Sequence, residues 1–170
     1  MLETYKNCIM ICTYRETVIP SDVDNVIQIT ESTKFFNDEE IAVAAELVNE
    51  TLRKGDRASG YFFVFAQYEN STIGFVCYGP TPCTTGTFDL YWIVVDESYR
   101  GLGIGKQLLH KSEFNLQLLS ARKLYIETSS TPRYEPTRKF YTNAGYIQEA
   151  RLKDYYSKGD DKIIYSKYFY

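Results

Sequence analysis

The sequence predicts an α/β domain, a mixed β-sheet with helices on both faces, and three observations carry that expectation. The run FDLYWIVV, residues 88–95, is almost continuously apolar, as a central strand covered on both sides should be. It leads through an amphipathic stretch at 103–119 into a second strand-like run, KLYIETS, at 123–129. A strand, a helix and a strand in that order form a right-handed crossover that lays the two strands parallel. The chain then closes with YIQEARLKDYY and KIIYSKYF, joined through Lys158, Gly159 and Asp160, an antiparallel hairpin.

The remaining elements follow in order. Residues 9–15 read as a first strand, bounded by Pro20. Ser21, with Asp24 three residues on, resembles a capping box and predicts a short helix over 22–30. Asn37 with Glu40 repeats that signal, and Asp38, Glu39 and Glu40 place negative charge where the helix dipole favours it. Ile41, Ala44, Ala45, Val48 and Leu52 continue at helical spacing until Gly55. Two β-rich runs, 61–67 and 72–78, flank a Glu69-Asn70-Ser71 turn. YGPTPCTTGT, residues 78–87, is too rich in Pro, Gly and Thr for regular structure and reads as a loop. In the helix over 103–119, Ile104, Leu108, Leu116 and Leu119 form the apolar stripe. A last helix covers 135–143, with Pro136 in its first turn and Gly145 near its end. The order is β α α β β β α β α β β, with no repeat and no linker, so residues 1–170 form one domain.

Composition narrows the function. The 170 residues carry a net charge of −3 with Lys and Arg scattered, whereas a nucleic-acid surface requires a basic stripe. No window approaches the ~18 consecutive apolar residues of a membrane span, and the N-terminus lacks the pattern of a signal peptide. Cys8, Cys12, Cys77 and Cys83 make no C-x-x-C pair, and His110 is the one histidine, so no metal is expected. Reduced thiols in a cytoplasmic protein are the expectation. The 16 tyrosines, apolar bodies with polar tips, suit cleft walls.

The stretch RGLGIG, residues 100–105, lies between the buried strand and the start of a helix. The first turn of a helix leaves N–H groups without intrahelical partners and carries partial positive charge. Glycines let an anion reach those groups, and Arg100 and Lys106 add full charges. A phosphate or pyrophosphate is the expected ligand, beside the alternative that small residues only let the helix pack closely on the sheet. The dinucleotide fingerprint requires G-x-G-x-x-G, and the P-loop requires Gly where Arg100 stands and Ser or Thr where Gln107 stands, so both fail.

RGLGIG resembles the R/Q-x-x-G-x-G/A motif of the GNAT acyl-CoA N-acyltransferases. It stands in their order: apolar strand, Val95-x4-Arg100, helix, strand, then a helix bearing Phe140-Tyr141 and the Asn143-Ala144-Gly145-Tyr146 segment. The segments YGPTPCT, DLYWI, ETSS and DYYSKGDDK are similar to a bacterial subgroup of that family. The resemblance implies a mostly antiparallel sheet in which the two parallel strands splay apart at their C-terminal ends. It implies acetyl-CoA as cosubstrate, its pyrophosphate on amides of Arg100, Gly101, Leu102, Gly103, Ile104, Gly105 and Lys106. The pantetheine arm would lie along Ile93, Val94 and Val95 like an added strand, with Arg138 and Tyr141 also in contact. Many family members place Asn soon after the second parallel strand. Here TSSTPRYEPT stands instead, and Ser129 or Ser130 is the expected replacement.

Acylating an amine requires a base for its proton, donors for the developing oxyanion and a proton donor for the leaving thiolate. Glu127 is the first candidate for the base and Asp89 the second. Each also has a bland reading, a salt-bridged strand carboxylate and a hydrogen bond to the preceding loop, and Asp89 could instead hold the acceptor ammonium. The resemblance makes Tyr141 the proton donor. Tyr91, Tyr155, Tyr156 and Phe36 are expected to wall the acceptor side, with Phe35 nearby. The acceptor is an amine of a small molecule or peptide, and dimerisation is expected only by analogy with the fold. Two alternatives stay open: a module that binds acyl-CoA without turnover, and an O-acyltransferase. His110 reads as solvated.

Overall fold

The computed structural model describes residues 10–169, and Cys8 and Ile9 lie outside them. The elements are β1 (Thr13–Arg15), α1 (Asp22–Ser32), α2 (Asp38–Lys54), α3 (Asp56–Ser59), β2 (Phe62–Tyr68), β3 (Ser71–Pro80), β4 (Thr87–Val95), α4 (Ile104–Leu118), β5 (Lys123–Ser129), α5 (Glu135–Asn143), β6 (Ile147–Ser157) and β7 (Asp160–Tyr168). Single 3-10 turns, Glu97–Tyr99 and Pro132–Tyr134, precede α4 and α5. The expected order holds, with the four-residue α3 added. Among the described residues, seven strands form one sheet in the order β1-β2-β3-β4-β5-β7-β6, and β4 with β5 is its one parallel pair.

Strand alternation divides the core in two. Phe63, Phe65, Phe75 and Cys77 face α1 and α2, where they meet Val26, Ile29, Ala44 and Val48. Val64, Ala66, Val76, Leu124 and Ile126 face the other way, onto Ile104, Leu108 and Leu116 of α4 and Tyr141 of α5. Phe65 and Phe75 are fully buried, and truncating such a residue to Ala costs about 3–5 kcal/mol.

Four local expectations are corrected. Ser21 makes no capping hydrogen bond. Asp22 takes its place: its buried carboxylate accepts from the Ile19 N–H at 2.8 Å and from both terminal nitrogens of Arg15 at 2.8 Å. A carboxylate that joins strand to helix satisfies more donors than a hydroxyl could. In α4, Leu119 is the C-cap and partly exposed, while Ser112 holds the buried mid-helix position with its hydroxyl on the Leu109 carbonyl. Likewise in α2, Thr51 is buried and Leu52 faces outward. The Asn37–Glu40 capping box forms on both sides, at 2.9 and 2.8 Å. The loop expected at 78–87 is shorter, because β3 continues to Pro80 and β4 begins at Thr87. No helix among the described residues is long and apolar enough to cross a membrane.

Candidate active site

The site begins where β4 and β5 part. The strands pair from Thr87↔Lys123 to Leu90↔Ile126 and no further. Beyond that point β4 stays with β3 as far as Val95, and β5 stays with β7 as far as Ser129. The divergence has a visible cause. Cys77 pairs with Trp92 and Tyr78 with Leu90, so Tyr91 is an extra residue in β4. Such a bulge bends the strand and increases its twist. It also changes which residues face α4: Phe88 and Leu90 before it, Ile93 and Val95 after it. The β4 backbone at Ile93, Val94 and Val95 therefore has a strand partner on one side only.

At the end of this gap stands the N-terminus of α4. Gly101 and Gly103 have φ of 78° and 82°, the left-handed region that side chains resist. These residues turn the chain from β4 into the first turn of α4. Gly103 is the N-cap and carries no side-chain cap, and the first helical bond runs from the Gln107 N–H to its carbonyl at 3.1 Å. Among the described residues, the N–H groups of Gly101, Leu102, Gly103, Ile104, Gly105 and Lys106 have no partner in the chain. Gly105 differs: an added Cβ would meet Val95 and Phe140 at ordinary distances of 3.8 and 3.9 Å. Lys106 is exposed. The Arg100 guanidinium is held by Glu97 at 2.9 Å and lies 5.4 Å over the Phe35 ring.

On the β5 side, the side chains alternate across the sheet. Thr128 turns toward α4 and α5. It is 5% exposed, and its hydroxyl has no hydrogen-bond partner among the described residues. Sequence reading passed over it, because a threonine within a β-rich run is ordinary until its neighbours are known. Tyr141, 3% exposed, packs against Tyr146 and Tyr165 with ring centroids 5.9 and 6.1 Å away. Burial pushes its phenol well above the ordinary range.

Glu127 faces the opposite side of the sheet, the side that carries α1 and α2 over β3 and β4. It is the first β5 residue past the last β4 partner. Its half-exposed carboxylate meets the Lys162 ammonium at 2.5 Å. Lys162 lies on β7, is 10% exposed along its side chain, and sits 3.8 Å from the Tyr155 ring centroid and 5.8 Å from that of Tyr156. Burial works against its charge, but Glu127 and Tyr155 outweigh that and raise its pKa. Tyr155 and Tyr156 are half exposed, edge to face at 5.1 Å. Lys162 is a second residue that sequence reading missed. The DDK run reads as turn and edge-strand charge until β7 is placed beside β5.

Several expected residues are engaged elsewhere. Asp89 lies within the paired part of β4, and its carboxylate accepts from the Thr81 hydroxyl at 2.6 Å. Tyr91, at the bulge, meets the Tyr61 ring edge to face at 5.6 Å; burial first, and then the Asp89 charge, push its phenol up to about 12. Phe36 packs on Trp92 at 5.0 Å. The Ser129 hydroxyl donates to Asp160 at 2.6 Å, and that of Ser130 accepts from the Asp161 N–H at 2.8 Å, so both tie β5 to the β6–β7 turn. The Arg138 guanidinium donates to the carbonyls of Ser129 and Thr131, at 2.7 and 2.9 Å. The loop between α1 and α2 spans the mouth of the gap. Phe35 contacts Arg100 on the β4 side and Arg133 and Tyr134 on the β5 side, and Arg133 donates to the Lys34 carbonyl. His110 is exposed. Among the described residues, no group of three His, Cys, Asp or Glu is placed to hold a metal.

This geometry has close relatives. The profile of the acetyltransferase (GNAT) family matches residues 24–146. The crystal structure of a GNAT-family protein from Desulfovibrio desulfuricans shares 46% identity at a TM-score of 0.91, covering 93% of this chain and 99% of that one. An aminoglycoside 6'-N-acetyltransferase solved with coenzyme A has a TM-score of 0.72 at 20% identity, over 94% and 97% of the two chains. The PaiA N-acetyltransferase of Thermoplasma acidophilum, also in complex with coenzyme A, has a TM-score of 0.72 at 19% identity, over 94% and 100%. At those identities the last two share the fold. No curated protein matches the chain. The profile and the 46% identical relative, together with the splayed parallel strands and the open helix N-terminus between them, lead to one conclusion: the chain belongs to the GNAT family of acetyltransferases.

Proposed function

We propose that this protein transfers an acetyl group from acetyl-CoA to the nitrogen of an amine, with both substrates bound together. The observation that carries this reading is the row of unpartnered N–H groups from Gly101 to Lys106 at the mouth of the β4/β5 gap. Backbone donors at a helix N-terminus, free of side chains, fit a pyrophosphate. The partnerless Thr128 hydroxyl on the α5 side of β5 gives a polar group of the pantetheine arm something to meet. It takes over the contact expected of Ser129 or Ser130. Two solved structures of the same fold are complexes with coenzyme A, which agrees with that fit.

The bound thioester supplies an activated acetyl group, and this chain's residues handle the protons. An aliphatic ammonium titrates at about 8–10 and cannot attack until it loses a proton. Glu127, exposed on the flank of the gap, receives that proton directly or through water. The C–N bond forms as the C–S bond breaks. Of the two protons the ammonium loses, one ends on the sulfur and one in solvent. With its pKa raised by burial, Tyr141 serves the departing sulfur as a hydrogen-bond donor that keeps its own proton. The phenol therefore stabilises charge, and the sulfur takes its proton from water.

Calorimetric titration with acetyl-CoA, beside thiol release in the presence of an amine panel, tests the reading. Binding with turnover supports it. Lys106→Glu should weaken acetyl-CoA by about tenfold, because it reverses a charge at the anion site. Binding without thiol release from any amine would leave a coenzyme-binding module and remove the transferase.

A further inference from the structure

The Glu127–Lys162 pair says more about the acceptor than the tyrosines around it. A cation that is 10% exposed stands beside the gap, touching one carboxylate and resting on an aromatic ring. Glu127 is half exposed and water can take up its charge, but Lys162 is enclosed, and a ligand that draws Glu127 away leaves the ammonium uncompensated unless it brings an anion of its own. A polyamine or aminoglycoside offers Glu127 an ammonium but leaves Lys162 without an anion and adds like charge beside it. A peptide N-terminus has the same defect, since its neighbouring carbonyl is neutral. An amino acid does not have it. Its ammonium and carboxylate sit on one carbon, and the two protein charges sit 2.5 Å apart. Each group can take the opposite protein partner, so one ion pair is exchanged for two.

Building on the acetyltransferase reading, we infer that the acceptor is a free α-amino acid, with its carboxylate on Lys162 and its ammonium on Glu127. The exchange also serves the chemistry. Lys162 holds one oxygen, Oε2, of the Glu127 carboxylate. When the acceptor carboxylate takes Lys162, Glu127 is released toward the nitrogen it must deprotonate. The base is then freed by the correct substrate. Tyr155 and Tyr156, half exposed beside Lys162, offer apolar walls to the amino acid side chain.

The test measures thiol release from acetyl-CoA with the protein amino acids, their carboxamides and their decarboxylated amines, and with spermidine as a polycation. The inference expects turnover of one or more amino acids, with kcat/KM at least about tenfold above the matching amide and amine, the range of a charged hydrogen bond. Lys162→Met should raise KM for the acid by a similar factor and erase the preference over the amide, while Lys162→Arg restores most of it. Acetyl-CoA affinity, measured by calorimetry on each variant, should stay within about twofold of the parent and so reports that the fold is intact. Equal or better turnover of amides, amines or spermidine would overturn the inference and leave the transferase standing. So would a Lys162→Met variant that keeps the preference for the acid. No thiol release from any member of the panel, with acetyl-CoA bound, would overturn both.

Discussion

The two sides of the gap are built from different materials. On the β4 side the candidate surface is backbone: a bulge at Tyr91, two left-handed glycines and a helix start whose N–H groups have no partners among the described residues. On the β5 side, on the opposite face of the sheet, it is side chains from separate strands, Glu127 of β5, Lys162 of β7 and Tyr155 and Tyr156 of β6. On the proposed reading, the backbone site recognises what every coenzyme A carries, a pyrophosphate. A side-chain site can be rewritten one residue at a time without disturbing the strands. Generic and particular recognition are thus separated within one molecule, and each can be disturbed without the other.

The largest effect should come from loosening α1, which Asp22 ties to β1. Asp22→Ala strands Arg15 beside an emptied carboxylate site and should cost about 3 kcal/mol. Urea unfolding measures it, and a loss under about 1 kcal/mol would mean that water replaces the carboxylate. Next, Glu127→Gln should lower kcat by on the order of a hundredfold, as expected of a lost general base, while acetyl-CoA affinity hardly moves. If affinity and rate fell together, the division between the two sides would not hold. The smallest effect separates two glycines of one motif. Gly103→Ala must hold a side chain at φ 82° and should cost about 1–2 kcal/mol. Gly105→Ala fits its surroundings and should be neutral, or stabilising by up to about 1 kcal/mol. Equal costs for the two would mean that the motif's spacing has another origin.

The same division explains how much could be read in advance. The glycine turn was legible because its geometry depends on residues adjacent in the chain, following a buried strand and opening a helix. The parallel pair was legible because a crossover helix leaves a strand–helix–strand pattern. The capping box at Asn37 and Glu40 was legible because its reach is three residues. Where a residue's partner is remote, reading failed. Ser21 yielded to Asp22 because Arg15 arrives from β1. Ser129, Ser130 and Arg138 looked free for a ligand, but the β6–β7 turn and the end of β5 engage them. For Asp89, the structure matches the reading of a hydrogen bond to the preceding loop, donated by the Thr81 hydroxyl at 2.6 Å.

By itself the sequence determined the element order, the parallel crossover and the glycine turn that opens α4, because hydrophobic period, capping and glycine conformation act over a few residues. Tertiary structure alone decided how far β4 and β5 stay paired, that Thr128 is left without a partner, and that Lys162 stands against Glu127. Those outcomes depend on strand register and on a one-residue bulge. A shift of one residue exchanges the two faces of a strand, and nothing local in the chain records which face a distant strand will meet.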